Sequence, residues 1–530
     1  MGKTKPIKAN FKLDLVKMGN LEDLTCISQP IVLYFFLYNA FEEKPLRINR
    51  NTGQRVPSVA DCKLATGGLE DRRMFRIRNS NLLRRITNPL LIYCLVTLVL
   101  CVHTAAALPG SGTQQDPFRI ESIADFDEFA ADPNYWSGFT RLETDVNLAG
   151  RTYTTAVIAP DVDNSNNYFE GTPFTGVFDG NAHKIIGLTI DGGANDYLGL
   201  FGFLGRDSEV RNLRLEGGSV SGRSYVGGLV GSNVDTISKC YSTGYVNGTG
   251  WCIGGLAGVN VGIITNCYST SSVTGISSVG GLVGENFKGT ISTCYSSGSV
   301  NGYWYVGGLM GLLDMGSVSN CYSTSDVNGS DRVGGLVGWN LRNVSNSYST
   351  GSVSGNESVG GLVGYNVGIV SNCYSTGDVN GVEVVGGLVG GNGFFYPFVV
   401  LAPGNIFNSY STGKVQGVLS VGGLVGYNYY GDIEMSFWDV ETSGEPNMCG
   451  GQWHDATGCD PNCGKTTNEM KTIGTFTDAG WDFVEIWGIG EQQTYPYLRF
   501  APAGDLNYDK KVDLFDLAIL GSHWLEGRVD

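Results

Sequence analysis

The chain has 530 residues, 78 of them glycine, and a formal net charge of −16 at pH 7. This length exceeds one ordinary hydrophobic core, and the glycine content is roughly twice the average, which together favour a protein built from repeats. Residues 1–107 carry 16 Lys+Arg and 8 Asp+Glu, whereas the remainder carries 19 and 43, a net charge of −24. That acidic balance argues against nucleic-acid binding, and four His residues argue against a His-based catalytic or metal site.

Residues 74–107 have the order of segments found in a secretory signal peptide. Met74 is followed by arginines, then by the 13-residue apolar run Leu90–Val102, then by small residues ending at Ala107. The pattern predicts an exported chain that starts at Met74, with 1–73 as upstream sequence outside the mature protein or as a disordered segment. The alternative is a signal anchor, for which 13 residues are short. We therefore expect no membrane span in the mature chain.

Residues 108–220 are predicted to form an N-terminal cap with a first, degenerate coil. A short helix is expected at Ser122–Ala131, with Ser122 as its N-cap. Two β-like runs follow at Phe174–Gly180 and Lys184–Ile190. Degenerate copies of the later repeat come next, as is usual for the terminal unit of a repeat array.

Residues 221–436 repeat one pattern of three short phrases. The first phrase is Val226-Gly-Gly-Leu-Val-Gly-Ser-Asn233, the second is of the type Asn-Cys-Tyr-Ser-Thr, and the third of the type Ser-Val-Thr-Gly. The steps are 26 or 27 residues, except for a last step of 36. The leucines of the first phrase mark the period: Leu229, Leu256, Leu282, Leu309, Leu336, Leu362, Leu388 and Leu424.

These phrases predict an all-β fold. The glycines and the absence of a 3.6-residue period exclude helices. Each short run can pair with the same run of the next repeat, about 4.8 Å away. We therefore expect a right-handed parallel β-solenoid of 26–27-residue coils, about three strands per coil. A cap should close each end, and a small α-helical tail should follow.

Stacking would align equivalent residues into columns. The leucines would form an interior apolar column, and the Gly-Gly pairs would permit tight corners or close backbone approach. A second column contains cysteines, which could suggest metal or redox chemistry. Serine replaces cysteine twice, however, so the position predicts small buried side chains. This column comprises Cys240, Cys267, Cys294, Cys321, Ser347, Cys373 and Ser409.

A third column contains asparagines and is interrupted at Leu313. We interpret it as a turn column, because Asn tolerates left-handed backbone and stacked amides can hydrogen-bond along the axis. Its members are Asn233, Asn260, Asn286, Asn340, Asn366, Asn392 and Asn428.

Two features depart from the repeat. The apolar insertion at 391–404 predicts either a binding loop or a segment folded over the coil. Residues 437–500 are rich in aromatics and suggest a C-terminal cap. Within it, Cys449, His454, Cys459 and Cys463 could hold zinc, but in an exported chain a Cys449–Cys459 disulfide is the favoured interpretation.

Residues 501–530 carry the most specific chemical motif. Oxygen ligands alternate at positions 1, 3, 5, 9 and 12, with a backbone carbonyl at position 7, as in an EF-hand calcium loop. Position 6 is Lys510 in place of glycine, and position 12 is Asp in place of Glu. The predicted calcium ligands are Asp505, Asn507, Asp509, Lys511 through its carbonyl, Asp513 and Asp516.

The phrases Gly-Gly-Leu-Val-Gly-x-Asn and Asn-Cys-Tyr-Ser-Thr-Gly resemble the GLUG-motif repeats of bacterial secreted and surface proteins, over about 200–436. That resemblance implies an adhesin or another large surface protein. Some such proteins carry peptidase domains, but this sequence contains no His-Glu-x-x-His signature. The tail resembles one dockerin-type calcium repeat, whereas dockerins that bind cohesins use two.

Two functions follow as hypotheses. The first is a non-catalytic exported β-solenoid, secreted or at the cell surface, that binds an extracellular glycan or a cell-surface protein. The second is a β-helix polysaccharide lyase or glycoside hydrolase, which needs carboxylates on neighbouring coils. The column before the third phrase supplies Asp326 and Asp378, two coils and roughly 10 Å apart at the sheet spacing.

Overall fold

The computed structural model describes residues 107–393, 403–453 and 458–499, and these form a parallel β-solenoid. Equivalent strands of successive coils pair in parallel: Val226 lies opposite Ile253, and Ile253 lies opposite Val279. Each coil therefore contributes one strand to each stacked sheet. The predicted β-solenoid with 26–27-residue coils is confirmed.

Each coil has five short strands, so the prediction of about three was wrong. One representative coil contains Trp251–Gly254, Ala257–Asn260, Ile263–Thr265, Tyr268–Ser269 and Ser272–Thr274. The first phrase is divided at its Gly-Leu pair, and the second is divided just before the cysteine. The chain changes direction at each of these breaks, so a coil has five short strands in place of three longer ones.

The strands build five parallel sheets, numbered here in their order around the coil from the second phrase onward. Sheet 1 contains Phe118–Ile120, Phe139–Leu142, Val177–Asp179, Glu209–Arg211, Thr236–Ser238, Ile263–Thr265, Thr290–Ser292, Ser317–Ser319, Asn343–Ser345, Ile369–Ser371, Asn405–Phe407 and Ile433–Glu434. Sheet 2 contains Val146–Asn147, Lys184–Ile186, Arg214–Glu216, Tyr241–Ser242, Tyr268–Ser269, Tyr295–Ser296, Tyr322–Ser323, Tyr348–Ser349, Tyr374–Ser375, Tyr410–Ser411, Phe437–Asp439 and Gly464–Lys465. Sheet 3 contains Thr189–Asp191, Ser219–Gly222, Tyr245–Gly248, Ser272–Thr274, Val300–Asn301, Val327–Asn328, Val353–Ser354, Val379–Asn380 and Val415–Gln416.

The other two sheets come from the first phrase and the residues just before it. Sheet 4 contains Val226–Gly227, Trp251–Gly254, Ser277–Gly280, Trp304–Gly307, Asp331–Gly334, Glu357–Gly360, Glu383–Gly386 and Leu419–Gly422. Sheet 5 contains Phe201–Leu204, Val230–Asn233, Ala257–Asn260, Val283–Asn286, Met310–Leu313, Val337–Asn340, Val363–Asn366, Val389–Asn392, Val425–Asn428 and Cys449–Gln452. A separate antiparallel pair joins Trp487–Gly488 to Tyr497–Leu498.

Left-handed backbone occurs at two positions in each coil, neither of them the asparagine column that we predicted. One position precedes the cysteine column and is occupied by Asn266 (φ 53°) in one coil and by Asn320 (φ 54°) in another. The second lies inside the strands of sheet 4, as at Cys252 (φ 61°), and just before the first of them, at Tyr225 (φ 54°). Asn233 and its counterparts instead end the strands of sheet 5. The turn assignment was wrong because this position requires the amide side chain of asparagine and does not require a left-handed backbone.

The asparagine amides do form hydrogen bonds along the axis, as predicted. Asn340 Nδ2 donates to Asn366 Oδ1 at 2.7 Å, and Asn366 Nδ2 donates to Asn392 Oδ1 at 2.8 Å. These side chains are fully buried. The ladder is interrupted where Leu313 takes the same place. There, Asn286 Nδ2 donates a hydrogen bond to the Gly289 carbonyl at 2.7 Å. A buried polar column is stable here because its members satisfy one another.

The Gly-Gly pairs allow the backbones of neighbouring coils to approach each other closely. A Cβ placed on Gly255 would lie 2.2 Å from the carbonyl oxygen of Gly281 and 2.2 Å from Ser269 Oγ. Such a contact requires the neighbouring backbone to move, since coils are held at sheet spacing on both sides. The predicted leucine column lies inside, with Leu229 and its counterparts buried.

Four α-helices and two 3₁₀ turns occur in the described residues. The α-helices are α1 Ile123–Ala131, α2 Val440–Ser443, α3 Thr467–Met470 and α4 Ile473–Thr477, and the 3₁₀ turns are Pro133–Tyr135 and Pro461–Cys463. The predicted N-cap is confirmed, because Ser122 Oγ accepts a hydrogen bond from the Asp125 N–H at 3.2 Å. None of these helices is long and apolar enough to cross a membrane.

The aromatic residues after the last repeat pack mostly against one side of the coils. Phe437, Phe476, Trp481 and Trp487 form a second buried cluster around Tyr410. This cluster also contacts two partly buried tyrosines of sheet 2, so the C-terminal segment lies on the outer face of that sheet. In the interior, fully buried Trp438 takes the position that Ser411 holds one coil earlier.

The asparagine ladder gives a test of this packing. The Asn366→Ala substitution removes partners of both Asn340 and Asn392, and should lower the free energy of unfolding by about 2–4 kcal/mol. The matched control is Asn380→Ala on the exposed face of sheet 3, which should change it by less than about 0.5 kcal/mol. Urea denaturation followed by circular dichroism measures both. Equal losses in the two variants would contradict the ladder's stabilising role.

Candidate functional site

The predicted calcium ligands, Asp505 to Asp516, lie outside the described residues, as do the insertion residues 394–402. The predicted signal segment lies outside them too, apart from Ala107. Within residues 107–393, 403–453 and 458–499, no three His, Cys, Asp or Glu side chains are placed to hold a metal ion.

The favoured cysteine pairing in the C-terminal segment is confirmed. Cys449 and Cys459 form a disulfide with a Cα–Cα distance of 5.8 Å, and Cys463 remains a free thiol. Two of the four groups considered as zinc ligands are therefore covalently paired, and His454 lies outside the described residues. The disulfide ties the last strand of sheet 5 to the segment that follows it.

The two aspartates proposed for catalysis bind backbone. Asp326 Oδ1 accepts a hydrogen bond from the Ser352 N–H at 3.1 Å, and Asp378 Oδ1 accepts one from the Lys414 N–H at 3.1 Å. Each carboxylate thus joins its own coil to the next at sheet 3. These contacts give both residues a structural role that does not depend on a substrate.

The cysteine column is packed and hydrogen-bonded in the interior. Cys294 Sγ donates to the Ser292 carbonyl at 3.1 Å and accepts from the Cys267 N–H at 3.4 Å. Ser347 makes the same two contacts, at 2.7 Å to the Ser345 carbonyl and 3.1 Å from the Cys321 N–H. A hydroxyl therefore keeps these two contacts and lacks only the longer one, which Cys294 Sγ makes to the Ile264 carbonyl at 3.6 Å; this supports the packing interpretation.

Burial also suppresses the reactivity of two thiols of this column, Cys373 and Cys294. It raises the pKa of Cys373 to about 12 and that of Cys294 well above its usual value. Since the thiolate is the nucleophile and the metal ligand, these buried thiols are poorly suited to either chemistry.

A column of stacked tyrosines runs along the outer face of sheet 2, and the sequence analysis did not single it out. Neighbouring rings lie 4.7–5.1 Å apart and within 3–7° of parallel. Its members are Tyr241, Tyr268, Tyr295, Tyr322, Tyr348, Tyr374 and Tyr410. The signal was present in the sequence as one tyrosine directly after each Cys or Ser of the cysteine column.

These tyrosines offer ring edges, because each ring face is covered by the next ring. The Arg214 guanidinium lies 5.6 Å from the centre of the Tyr241 ring at one end, and the C-terminal aromatic cluster surrounds Tyr410 at the other. Burial raises the pKa of Tyr348 to about 12. The stack therefore acts as a support for the C-terminal segment, and it is a poor surface for a ligand that needs an open ring face.

Partly exposed rings that are not stacked on one another occur instead at the corner between sheets 3 and 4. We call Trp251, Ile276, Tyr303 and Trp304 the aromatic edge; each is 39–52 % exposed. The Trp304 N–H donates to the Ile276 carbonyl at 2.8 Å, which fixes consecutive coils together at this corner. Tyr303 and Trp304 meet edge to face with centroids 4.5 Å apart. Exposed apolar side chains grouped in this way are characteristic of binding surfaces.

On the coils that follow, acidic residues take the position that Trp304 has in sheet 4. Trp304 lies opposite Asp331, Asp331 opposite Glu357, and Glu357 opposite Glu383 on successive coils of sheet 4. We call Asp331, Glu357 and Glu383 the carboxylate column. Burial, and then the charges of Asp331 and Glu383, raise the pKa of Glu357. The negative potential here is therefore incompletely compensated.

One arginine lies beside this column. Arg332 Nη1 is 2.6 Å from Asp331 Oδ2, and its guanidinium carbon lies 5.0 Å from the Trp339 ring centre and 5.4 Å from that of Tyr365. The ion pair partly neutralises Asp331. Among the described residues, Glu357 and Glu383 have no such ion pair.

Neither the aromatic edge nor the carboxylate column was predicted from the sequence. Residues differ from coil to coil along this line, running Trp, Ser, Trp, Asp, Glu, Glu and Leu, so no repeated letter marks it. The signal that could have found it is position: each of these residues lies two residues before the Val or Ile that opens the first phrase.

Comparison with known proteins identifies the repeat. Seven segments match the GLUG motif: residues 222–247, 249–274, 275–301, 302–328, 329–354, 355–380 and 381–416. Halomucin of Haloquadratum walsbyi is 30% identical over 163 residues, which are 27% of this chain and 2% of that protein. A candidate Gly-rich membrane protein of Evansella cellulosilytica is 33% identical over 175 residues, which are 30% of this chain and 19% of that protein.

The chain therefore spans under a fifth of the length of these curated relatives. Among solved structures, that of a candidate immunoglobulin A1 protease from Bacteroides ovatus is similar with a TM-score of 0.39 and 20% identity. The match covers 74% of this chain and 94% of that one.

The cysteine column yields a paired prediction. Cys294→Ser retains both hydrogen bonds, so the free energy of unfolding should fall by less than about 1.5 kcal/mol. Cys294→Val removes the acceptor of the Cys267 N–H and should cost about 1–3 kcal/mol more. Urea denaturation under reducing conditions compares the two. A serine variant less stable than the valine variant would contradict the hydrogen-bonding role.

Proposed function

We propose that this chain is an exported, non-catalytic β-solenoid, secreted or held at the cell surface, that binds an extracellular glycan through its aromatic edge. The observation that carries this proposal is the group of exposed rings of Trp251, Tyr303 and Trp304, in which the two tryptophans lie two coils apart on one face. An exposed Trp or Tyr presents a large apolar area and a polar atom at low entropic cost.

The matched repeat and the named relatives support a surface location. The GLUG motif covers 222–416 almost without interruption, and the relatives are called halomucin and a Gly-rich membrane protein. The signal-peptide pattern of 74–107 and the net charge of −24 after it suit an exported chain. The tail residues Asp505–Asp516 are proposed to bind calcium as an EF-hand-like loop.

A glycan is favoured over a compact ligand because of the site's shape. The line from Trp251 to Leu419 follows seven consecutive strands of sheet 4, a length of about 29 Å at the sheet spacing. A compact ligand would be expected in a concave cavity. An open line of side chains at a constant interval suits a linear polymer with a constant repeat.

Substitution of the central ring tests the proposed site. Trp304→Ala should weaken binding to the recognised oligosaccharide about tenfold, because an exposed Trp typically supplies more than 1 kcal/mol to such contacts. Tyr245→Ala is the matched control, since Tyr245 is an exposed ring on sheet 3 outside the aromatic edge. A glycan array followed by calorimetry measures both. An array without any bound glycan, or equal weakening in both variants, would count against the proposal.

A second candidate function is glycoside hydrolysis at the carboxylate column. Adjacent members lie on neighbouring coils with a backbone spacing of about 4.8 Å, which allows the roughly 5–5.5 Å separation of the two carboxyl groups in retaining glycosidases. The raised pKa of Glu357 suits a general acid, and Glu383 on the next coil would be the nucleophile.

Reducing-sugar release separates the two functions. If the chain is a hydrolase, Glu357→Gln should lower the rate at least about a hundredfold, the usual contribution of a general acid. Asp326→Asn, whose carboxylate binds the backbone of the next coil, is the control and should leave the rate near that of the native chain. Absence of release from glycans that the chain binds would support the non-catalytic function.

A further inference from the structure

The aromatic edge and the carboxylate column form one straight line on sheet 4, with aromatic rings at its start and carboxylates at its centre. The register pairs place Trp251, Ser277, Trp304, Asp331, Glu357 and Glu383 in order on six successive coils. A ligand long enough to touch both tryptophans and continue along the line must also meet the acids. The charge of the acids therefore constrains which glycan can occupy the site.

We propose that this line binds a linear glycan carrying primary amines, of the glucosamine-polymer type. The inference rests on the proposed glycan binding and adds the chemical class of the sugar. A protonated amine is attracted to the open face of a tryptophan and to a carboxylate, so it suits both halves of the line. An anionic glycan meets repulsion from three carboxylates and from the net charge of −24.

The negative charges of Glu357 and Glu383 are not neutralised by an ion pair within the described residues, so this face can accept added cations. Arg332 is paired with Asp331, and three aromatic rings surround its guanidinium. Glu357 and Glu383 are exposed and lack an ion pair within the described residues. Repulsion among these acids, beyond burial, contributes to the raised pKa of Glu357. A cation placed between Glu357 and Glu383 would relieve that repulsion.

A basic peptide is less well matched to this surface. Peptide recognition requires pockets for individual side chains or an open strand edge for added backbone hydrogen bonds. Between Trp251 and Glu383 every strand of sheet 4 is paired on both sides. The line offers one outward side chain per coil at a constant interval, which is the pattern of a repeating polymer.

The test compares two oligosaccharides with the same sugar backbone. Glucosamine hexamers and their fully N-acetylated counterparts are titrated into the whole exported chain at pH 6 by calorimetry, at low salt and at 0.5 M salt. We expect the amine form to bind at least tenfold more tightly at low salt and to lose most of that advantage at high salt.

The variants assign the advantage to residues. The double substitution Glu357→Gln and Glu383→Gln should weaken binding of the amine form about tenfold, at about threefold per exposed charge, and that of the acetylated form less than twofold. Glu434→Gln, an exposed glutamate at the end of a sheet 1 strand, is the matched control and should change neither. Trp304→Ala should weaken both forms.

The outcomes separate this inference from the proposed function. Equal binding of both forms, lost with Trp304→Ala, overturns the amine preference and retains the glycan site. Hexalysine binding as tightly as the amine glycan, with the same dependence on the two glutamates, also overturns it. No binding of either form also overturns the amine preference, and the glycan array then decides the proposed function separately. Binding that is insensitive to Trp304→Ala contradicts the aromatic edge as the glycan site.

Discussion

The structure depends on one constraint, in-register parallel pairing of equivalent residues at every coil. Each backbone N–H and C=O within a sheet bonds to the coils on either side, and each side chain lies beside its counterpart about 4.8 Å away. A residue therefore contributes to stability according to how well it tolerates a neighbour of its own kind. Asn tolerates this well because its amide both donates and accepts, and Tyr tolerates it because its ring can stack. Carboxylates tolerate it badly, so three in succession point to a role other than folding.

The same constraint separates support from surface. The tyrosine column looks at first like a binding platform, but its faces are covered by one another and its C-terminal end is covered by the aromatic cluster around Tyr410. The aromatic edge has fewer rings, and Ser277 lies between Trp251 and Trp304. That interruption leaves the tryptophan faces unstacked. In this fold, a ring is left unstacked where the residue on the adjacent coil is of a different type.

The sequence was sufficient for the solenoid, its coil length, the buried leucines and the packing role of the cysteines, because those positions repeat the same residue types. It was insufficient for the five-sided coil. The left-handed position is filled by Lys239 in one coil, Asn266 in the next and Thr293 in the third, so the turn carries no single residue signature. Asparagines drew attention to Asn233 instead, where the side chain is the important group. The geometry of a turn depends on backbone angles that several residue types can adopt when neighbouring coils hold them.

The candidate site was hidden for a related reason. Asp326 and Asp378 were noticed because they vary within a recognisable phrase, and both proved to bind backbone amides. Glu357 and Glu383 are the first residues of their strands in sheet 4, just before the phrase, at a position where no residue type recurs over all coils. Only the register of the strands shows that they follow Trp304 in one line. Spatial order along the axis, and not order along the chain, defines this surface.

The pairing register also has an evolutionary consequence. Because each coil bonds only to its two neighbours, duplication of one 26-residue segment inserts a complete coil without altering the others. A duplication of 357–382 would add one glutamate to the line and lengthen it by one coil. Unequal recombination between repeats can thus adjust the length and charge of the carboxylate column in single, foldable steps.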